Sequence, residues 1–313
     1  MRRYLQVMAF LITLQLIVSV MVMWPKSGDH QADKPFVAID PALIVSIELS
    51  DLQNNQLQLA KTDKQWRIKM GDKTALANPI QVESLLQALM VSPVGWPVST
   101  SKETLNRFAL ADDDYQWKIS LATADGAQSQ IVYFGSAAGA AKRHARKSDE
   151  ATVHALNYSL ADKIVKVRDW LQRDILALVN NDLVKIDAGD YVLSREGELW
   201  RLDGQRDDEV IDQDMVAMFA GRLDGLRVDD VVSGDRLAQI QAEKPVQTIR
   251  LFMADKAKPP IVYTFYKIND KNYLKREDVD GMYEISMLAA SDLLKLRNQW
   301  LIPGKIIEPK QAQ

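Results

Sequence analysis

Apolar and polar positions follow a regular order over the first half of this chain. Three short segments within residues 43–70 alternate apolar and polar side chains, which predicts three strands. Residues 79–89 carry apolar side chains at helical spacing, and residues 117–134 and 143–156 each predict a hairpin. Residues 159–171 predict a closing helix. The order is therefore three strands, a helix, four strands and a second helix.

Short sequence matches indicate that the second half repeats this order. They pair residues 66–68 with 200–202, residues 131–133 with 261–263, and Trp170 with Trp300. A long-period repeat fixes the architecture before any residue chemistry is considered. We predict an α+β fold of two tandem homologous repeats, residues 42–176 and 177–302, followed by a polar tail at residues 303–313. Each repeat is expected to be a mostly antiparallel sheet with two covering helices.

The N-terminus has the pattern of a membrane anchor. Arg2 and Arg3 precede an uncharged stretch at residues 4–24, about 20 residues, enough for a helix to cross a hydrocarbon core of roughly 30 Å. A cleaved signal peptide is the alternative, but residues 20–24 are bulky where a cleavage site needs small side chains. We predict a transmembrane helix at residues 1–24 and a polar tether at residues 25–41.

The charges around this stretch predict its orientation. Arginines at the N-terminus favour the cytoplasmic side, so the repeats are expected outside the cytoplasm, with a single-pass topology. Four polar residues dilute the apolar stretch and are candidate intramembrane contacts, because polar groups in lipid seek partners. They are Gln6, Thr13, Gln15 and Ser19.

The composition of the chain argues against several functions and types of membrane anchor. The formal net charge is only −3 and the charges are mixed along the chain, which argues against nucleic-acid binding. The chain has no cysteine, which excludes disulfides and a lipid-modified cysteine anchor. It also lacks a phosphate-binding Gly-Lys-Ser/Thr loop, so an associated ATPase would be a separate subunit. We predict no cofactor and no bound metal.

Several weak motifs in a fixed order resemble one family. The motif x-Leu-x-Lys/Arg-x4-Trp-Arg-Ile/Leu occurs at residues 59–68 and 193–202, and a helix ends in Leu-x-x-Leu at residues 223–226. A hairpin at residues 273–285 and a closing Arg-x-x-Trp at residues 297–300 complete the set. Together they resemble the DUF4340 family of bacterial envelope proteins, over about residues 43–301 in both repeats.

The resemblance implies a location and partners. Members of the family have no assigned activity. They look like extracytoplasmic partners of ABC-type export systems. They are often encoded beside an ATPase, a permease and a larger anchored protein similar to gliding-motility auxiliary components. By this resemblance the chain would lie in the bacterial inner membrane, with its N-terminus cytoplasmic and its bulk periplasmic.

The aromatic and histidine residues have structural and functional interpretations. Trp66 and Trp200 could stack on a sugar ring, but their recurrence in both copies favours packing in the core. His144 and His154 lie on opposite arms of one predicted hairpin and could bind a metal together with Asp149 or Glu150. The equivalent positions near Tyr273 and Tyr283 are not good ligands, which disfavours a metal site.

The densest basic run offers the best surface candidate. Lys142, Arg143, Arg146 and Lys147 could contact an acidic partner or lipid headgroups, although a solvated hairpin arm explains them equally simply. The acidic runs at residues 112–114 and 207–209 lack the fixed separation that acid–base catalysis needs, and we interpret them as turns and helix entries.

Three functions remain open. We favour a non-catalytic, membrane-anchored accessory or scaffold protein. The alternative is an envelope enzyme, or a glycan- or peptide-binding protein, with its site in a cleft between the repeats. A structural protein that pairs through an open sheet edge, with residues 261–266 as the segment of interest, is the third. Functional residues are expected where the two copies differ, at residues 92–102, 142–147 and 174–181.

Overall fold

A computed structural model describes residue 15 and residues 34–303, except for residues 54, 72, 159–164 and 179–181. The predicted anchor at residues 1–24, apart from Gln15, and the first part of the tether lie outside the described residues, as does nearly all of the polar tail. In the part that is described, no helix has the length and apolar character needed to span a membrane.

Repeat one is built around an eight-stranded antiparallel sheet. Its strands are β1 (Ile44–Asp51), β2 (Gln56–Thr62), β3 (Gln65–Met70), β4 (Lys73–Leu76), β5 (Trp117–Thr123), β6 (Ser129–Gly139), β7 (Lys142–Lys147) and β8 (His154–Leu156). Their spatial order is β4-β3-β2-β1-β5-β6-β7-β8. Helices α1 (Pro79–Met90) and α2 (Val167–Trp170) belong to the same repeat, with short 3-10 segments at Pro41–Leu43, Lys102–Thr104 and Asn106–Phe108.

Repeat two forms a second eight-stranded antiparallel sheet. Its strands are β9 (Leu183–Asp187), β10 (Val192–Glu196), β11 (Leu199–Leu202), β12 (Val228–Val231), β13 (Gln247–Met253), β14 (Ile261–Ile268), β15 (Lys271–Arg276) and β16 (Tyr283–Ile285). Their order is β11-β10-β9-β13-β14-β15-β16-β12. The helical segments are α3 (Gln213–Asp224), α4 (Gly234–Ala242), α5 (Met287–Leu293) and a 3-10 turn at Arg297–Trp300. Seven strands follow the same order in both sheets, so the tandem α+β fold is confirmed.

The two repeats differ at their sheet edges. Repeat one adds β4 beside β3, whereas repeat two adds β12 beside β16. The place of β12 is taken in repeat one by a single bridge between Ser99 and Val153. Sequence periodicity missed β4, β12 and α4. It also predicted one closing helix at residues 288–300, but α5 ends at Leu293 and only the 3-10 turn follows.

Strand register corrects part of the predicted alignment between the copies. Val132 pairs with Ile119, and Tyr263 pairs with Ile249, at equivalent positions of the two sheets. Residues 131–133 therefore correspond to residues 262–264, one position away from the match that the letters suggested. Because successive strand side chains point to opposite faces, a one-residue offset would have exchanged core and surface.

Each repeat is closed by the same contact between its tryptophan and the start of a helix. Asn78 caps α1 and donates its backbone N–H to the Trp170 carbonyl at 2.6 Å. Asp212 caps α3 and donates in the same way to the Trp300 carbonyl at 2.9 Å. Both indoles are fully buried, Trp66 is buried and Trp200 packs against the core, which confirms the core interpretation of these tryptophans.

The segment between the repeats is tied to repeat two. The Val228 N–H donates to the Arg173 carbonyl at 2.8 Å, and the Arg173 side chain binds Val228 and Asp229 in return. The Leu178 N–H donates to the Leu223 carbonyl of α3 at 3.0 Å. One continuous cluster of buried apolar residues includes both repeats. The two sheets therefore form one packed body, and this segment, a place where function was expected, holds them together.

The N-terminal part of the fold begins earlier than the sequence indicated. Phe36 and Val37 are buried, and the Val37 N–H donates to the Leu89 carbonyl of α1 at 2.8 Å. Two apolar side chains in an otherwise polar segment were too weak a signal to assign them to the core. Residues 34–41, assigned to the tether from sequence, thus pack on repeat one.

Candidate functional site

A cleft runs between the two repeats, where the sequence predicted one. It consists of two adjoining cavities of ≈ 490 and ≈ 410 Å³, which share Thr74, Val279 and Asp280 as lining residues. Repeat one contributes the ends of β3 and β4, and repeat two contributes β12, α4 and the turn at residues 277–283. We call this the inter-repeat cleft.

Arg67 is the cationic group of the cleft that stands out. It is half-buried on β3 and lines the smaller cavity, and we find no hydrogen bond or ion pair for it within the described part of the chain. Its counterpart in repeat two, Arg201, forms an ion pair with Glu196 at 2.6 Å. The Trp-Arg motif is the same in both copies, but only Arg67 faces the other repeat.

Tyr283 lies on the opposite wall of the same cavity. Its hydroxyl donates to the Asp280 carbonyl at 2.9 Å. Burial raises the pKa of Tyr283 to about 12, the Asp280 carboxylate acts in the same direction, and Arg67 opposes it. The phenol is therefore neutral at any physiological pH. Its proton is already donated to the Asp280 carbonyl, so towards a ligand donor the hydroxyl oxygen can only accept a hydrogen bond.

Two polar side chains, Arg276 in the cleft wall and Tyr263 behind it, bind the backbone of the connecting segment. Arg276 donates to the Asp278 carboxylate at 2.7 Å and to the Ala177 carbonyl at 2.9 Å. Tyr263 donates to the Leu176 carbonyl at 2.6 Å, and burial raises the pKa of its phenol. These side chains are occupied by the backbone of the connecting segment.

A third cavity, ≈ 520 Å³, lies within repeat one between α1 and the β2–β3 hairpin. Trp66 forms part of its wall, with the Lys61 ammonium 5.9 Å from the indole centroid. Trp66 is therefore a core residue with one edge on a surface cavity.

His144 and His154, which were considered as a metal pair and disfavoured, do not face each other. His144 is paired with Ala155 and His154 with Ala145, so neighbouring strands carry the imidazoles on opposite faces of the sheet. His144 lies against Phe108, and His154 is buried beside Phe36. Burial lowers the pKa of both rings. The predicted hairpin is present, but its register prevents the two rings from sharing an ion.

The basic side chains of β7 are less accessible to a partner than the sequence suggested. Arg146 is 3% exposed; its guanidinium lies over the Tyr133 ring, donates to the Leu110 carbonyl and forms an ion pair with Asp112. Lys147 forms an ion pair with Glu150 at 2.5 Å.

Arg146 therefore has no free donor face for a partner. Arg143 donates to the Gln116 amide oxygen at 2.6 Å, and Lys142 is exposed. Partner contact through Lys142, Arg143 and Lys147 stays a prediction.

Glu209 is a buried acid whose role the sequence did not indicate. Its side chain is 6% exposed and accepts two hydrogen bonds from Arg297, at 2.9 and 2.8 Å. It also accepts two from Arg206, one from the backbone N–H at 3.0 Å and one from Nε at 3.1 Å. The Arg297 contact is the main reason why the pKa of Glu209 falls to about 2. When the repeats are aligned on Trp170 and Trp300, repeat one has Val167 in the place of Arg297 and a small buried residue, Ala75, in the place of Glu209. The contacts of Glu209 with Arg297 and Arg206 are therefore specific to repeat two.

We expect Glu209→Gln to change the acid stability of the chain. The carboxyl has a folded pKa near 2 and a reference value of 4.5, so its contribution is present above pH 4.5 and is lost as the pH falls towards 2. Urea unfolding of wild type and variant at neutral pH and near pH 3 tests this. The variant should lose stability at neutral pH and show a smaller further loss in acid. Equal pH dependence in both proteins would contradict the assignment.

The fold and the cleft define a tandem-repeat α+β protein with a shared core and a charged groove between its repeats. Residues 96–247 match the family model described as a domain of unknown function, DUF4340, so this part of the chain belongs to that family, and the predicted family is confirmed for these residues. The matched region starts in repeat one and ends at the first residue of β13, so it crosses the connecting segment. No curated protein and no solved structure matches the chain.

Proposed function

We propose that this chain is a non-catalytic accessory subunit of an ABC-type transport complex, anchored in the bacterial inner membrane with both repeats in the periplasm. The observation that carries the proposal is how the buried charges are used. Arg146, Glu209 and Arg276 each bind backbone carbonyls or charged groups of their own repeat or of the connecting segment. Such groups stabilise a rigid body that presents surfaces, rather than a reaction centre.

The N-terminal sequence supports the membrane part of this proposal. Arg2 and Arg3 precede the uncharged residues 4–24, a pattern typical of a single-pass anchor. The resemblance to DUF4340 envelope proteins, whose family model matches residues 96–247, implies a permease, an ATPase and a larger anchored auxiliary protein as partners. The anchor brings the repeats to the periplasmic face of the permease, and its polar residues are candidates to contact the permease within the bilayer.

Copurification at native expression tests this function. The tagged full-length chain, extracted in mild detergent, is expected to retain a permease and an ATPase. The double variant Gln6→Leu/Gln15→Leu should stay in the membrane but retain less permease, because it loses two polar contacts. The matched control is Leu5→Val/Leu16→Val, which leaves every polar group in place. Isolation of the wild-type chain without transport subunits would reject the proposal.

The inter-repeat cleft favours a second function, recognition of a glycan or peptide ligand. The specific observation is Arg67, half-buried and free of an ion pair among the described residues, beside the neutral hydroxyl of Tyr283. Charge-assisted hydrogen bonds to an anionic group of the ligand contribute about 1.5–3 kcal/mol. The groove also offers hydrogen-bond donors and acceptors from both repeats.

We expect Arg67→Ala to lower the affinity for such a ligand by about tenfold to a hundredfold, because one charge-assisted hydrogen bond is lost. Arg201→Ala is the matched control, because Arg201 occupies the same motif in repeat two but forms an ion pair with Glu196. Short acidic peptides and acidic oligosaccharides are suitable probes, with binding followed by calorimetry. Equal affinity in both variants would exclude the cleft as the binding site.

A further inference from the structure

The loop at residues 92–102 presents an unusually exposed tryptophan. Trp96 is 75% exposed, and Val91 and Val98 on either side of it are about half exposed. Single apolar side chains on a surface are ordinary, but a tryptophan leaves a large apolar area in water when it is exposed to this extent. The fold gains nothing from this exposure, so a contact outside the fold is the natural explanation.

Backbone hydrogen bonds on both sides of Trp96 hold the loop in place. The Val94 N–H donates to the Lys34 carbonyl at 3.1 Å, and Pro93 is bridged to Pro35. Beyond Trp96, the Val98 N–H donates to the Val153 carbonyl at 2.7 Å beside the edge strand β8. The indole is therefore displayed by a fixed loop, which makes the exposure a property of the fold.

The position of the loop relates it to the N-terminal segment. Lys34 is the first residue of the continuous described body, and nine residues, 25–33, separate it from Trp24 at the end of the uncharged stretch. The ten steps from Trp24 to Lys34 span at most roughly 35 Å when fully extended. Because Val94 is bonded to Lys34, the loop lies at the end of the fold from which this segment departs.

The charge around the loop suits a lipid surface. Residues 84–102 contain no aspartate or glutamate, and Lys102 is their only charged residue. A tryptophan inserts its ring at the level of the lipid headgroups, where the indole N–H stays hydrated and the ring is removed from water. Lys102, at the far end of the loop and followed by Glu103, is attracted by anionic headgroups.

We propose that the loop at residues 92–102 docks on the outer surface of the bilayer that holds the anchor, with Trp96 in the lipid interface. The inference rests on the proposed membrane anchor. The anchor keeps the loop at a high local concentration near the lipid, so a weak contact is sufficient. Two attachment points fix the orientation of the repeats relative to the membrane, which a single tether would leave free.

The absence of cysteine makes the test direct, since one introduced cysteine carries one label. Full-length Val98→Cys, labelled with an environment-sensitive fluorophore, is reconstituted in vesicles of phosphatidylethanolamine and phosphatidylglycerol. Val246→Cys is the matched control, because it replaces an exposed valine of repeat two. The label at position 98 is expected to emit at shorter wavelength, to be quenched by headgroup nitroxide lipids and to be severalfold less accessible to iodide than the label at position 246. Adding Trp96→Ser to Val98→Cys should reverse these differences.

The outcomes separate the inference from the proposed function. A chain that resists carbonate extraction but gives equal iodide accessibility at both positions overturns the lipid contact and leaves the anchor standing. A chain that carbonate releases overturns both. If position 98 is shielded in native membranes but not in protein-free vesicles, a protein partner covers the loop and the lipid contact is rejected.

Discussion

Trp300→Ala is expected to lower the free energy of unfolding by about 3–5 kcal/mol, the range for removing a large aromatic side chain from a core. Trp300 is fully buried, with its ring 5.6 Å from the Tyr191 ring and 5.4 Å from the Phe219 ring. Its carbonyl also accepts the N–H of Asp212, which begins α3. The cavity therefore forms at the point where the closing turn meets the helix.

Trp96→Ala provides the matched control for this prediction. It removes the same side chain from an exposed loop, so the free energy of unfolding should change by less than about 0.5 kcal/mol. Urea unfolding of the full-length chain in mild detergent, followed by far-UV circular dichroism, measures both variants. Similar losses in the two variants would mean that Trp300 does not have the core role that its burial indicates.

Gly135→Ala is expected to destabilise the chain by about 3 kcal/mol, at the upper end of the range for overpacking. A methyl group at position 135 would lie 2.0 Å from the Phe108 carbonyl oxygen and 2.5 Å from the Ala109 carbonyl oxygen. Both atoms are backbone and cannot rotate away. The 3-10 segment Asn106–Phe108 would have to lift off β6.

Gly221→Ala in α3 is the control for a glycine with space around it. No atom lies within 4 Å of a methyl group built at position 221. Alanine is favoured over glycine in a helix by about 0.5–1 kcal/mol, so this variant should be more stable than wild type. A destabilising Gly221→Ala, or a neutral Gly135→Ala, would contradict the packing described around these two positions.

The periodicity of the sequence was sufficient for most of the secondary structure. Alternation at residues 43–70 and 117–134 predicted β1–β3, β5 and β6 because half-buried strands have a period of two. Asp212 directly precedes α3, where an aspartate is a preferred cap, and its carboxylate accepts the Met215 N–H at 3.1 Å. These features depend on neighbours within a few residues, which the sequence displays directly.

The third proposed function depended on sheet position, which periodicity does not give. Residues 261–266 were suggested as an open edge because they are apolar and strand-like. They belong to β14, which is paired with β13 on one side and β15 on the other. The edges of the two described sheets are β4, β8, β11 and β12. An interior strand is apolar when one face of its sheet is covered, so the apolar character of residues 261–266 did not distinguish an interior strand from an edge. The prediction of an open edge at these residues was wrong.

The sequence by itself determined the duplication, the order of its elements, the helix caps and the place of the tryptophans in the core. Matching residues in the two repeats were a less reliable guide to equivalent positions than the order of the strands and helices. Residues 131–133 and 261–263 match in sequence but are offset by one position in the sheets. Only the tertiary structure decided which chemically identical residues differ in role. Arg67 and Arg201 both follow a tryptophan and precede a branched aliphatic residue, yet one faces the inter-repeat cleft and the other pairs with Glu196. The physical reason is that strand register and contacts between repeats join residues far apart in the chain, and local periodicity carries no information about them.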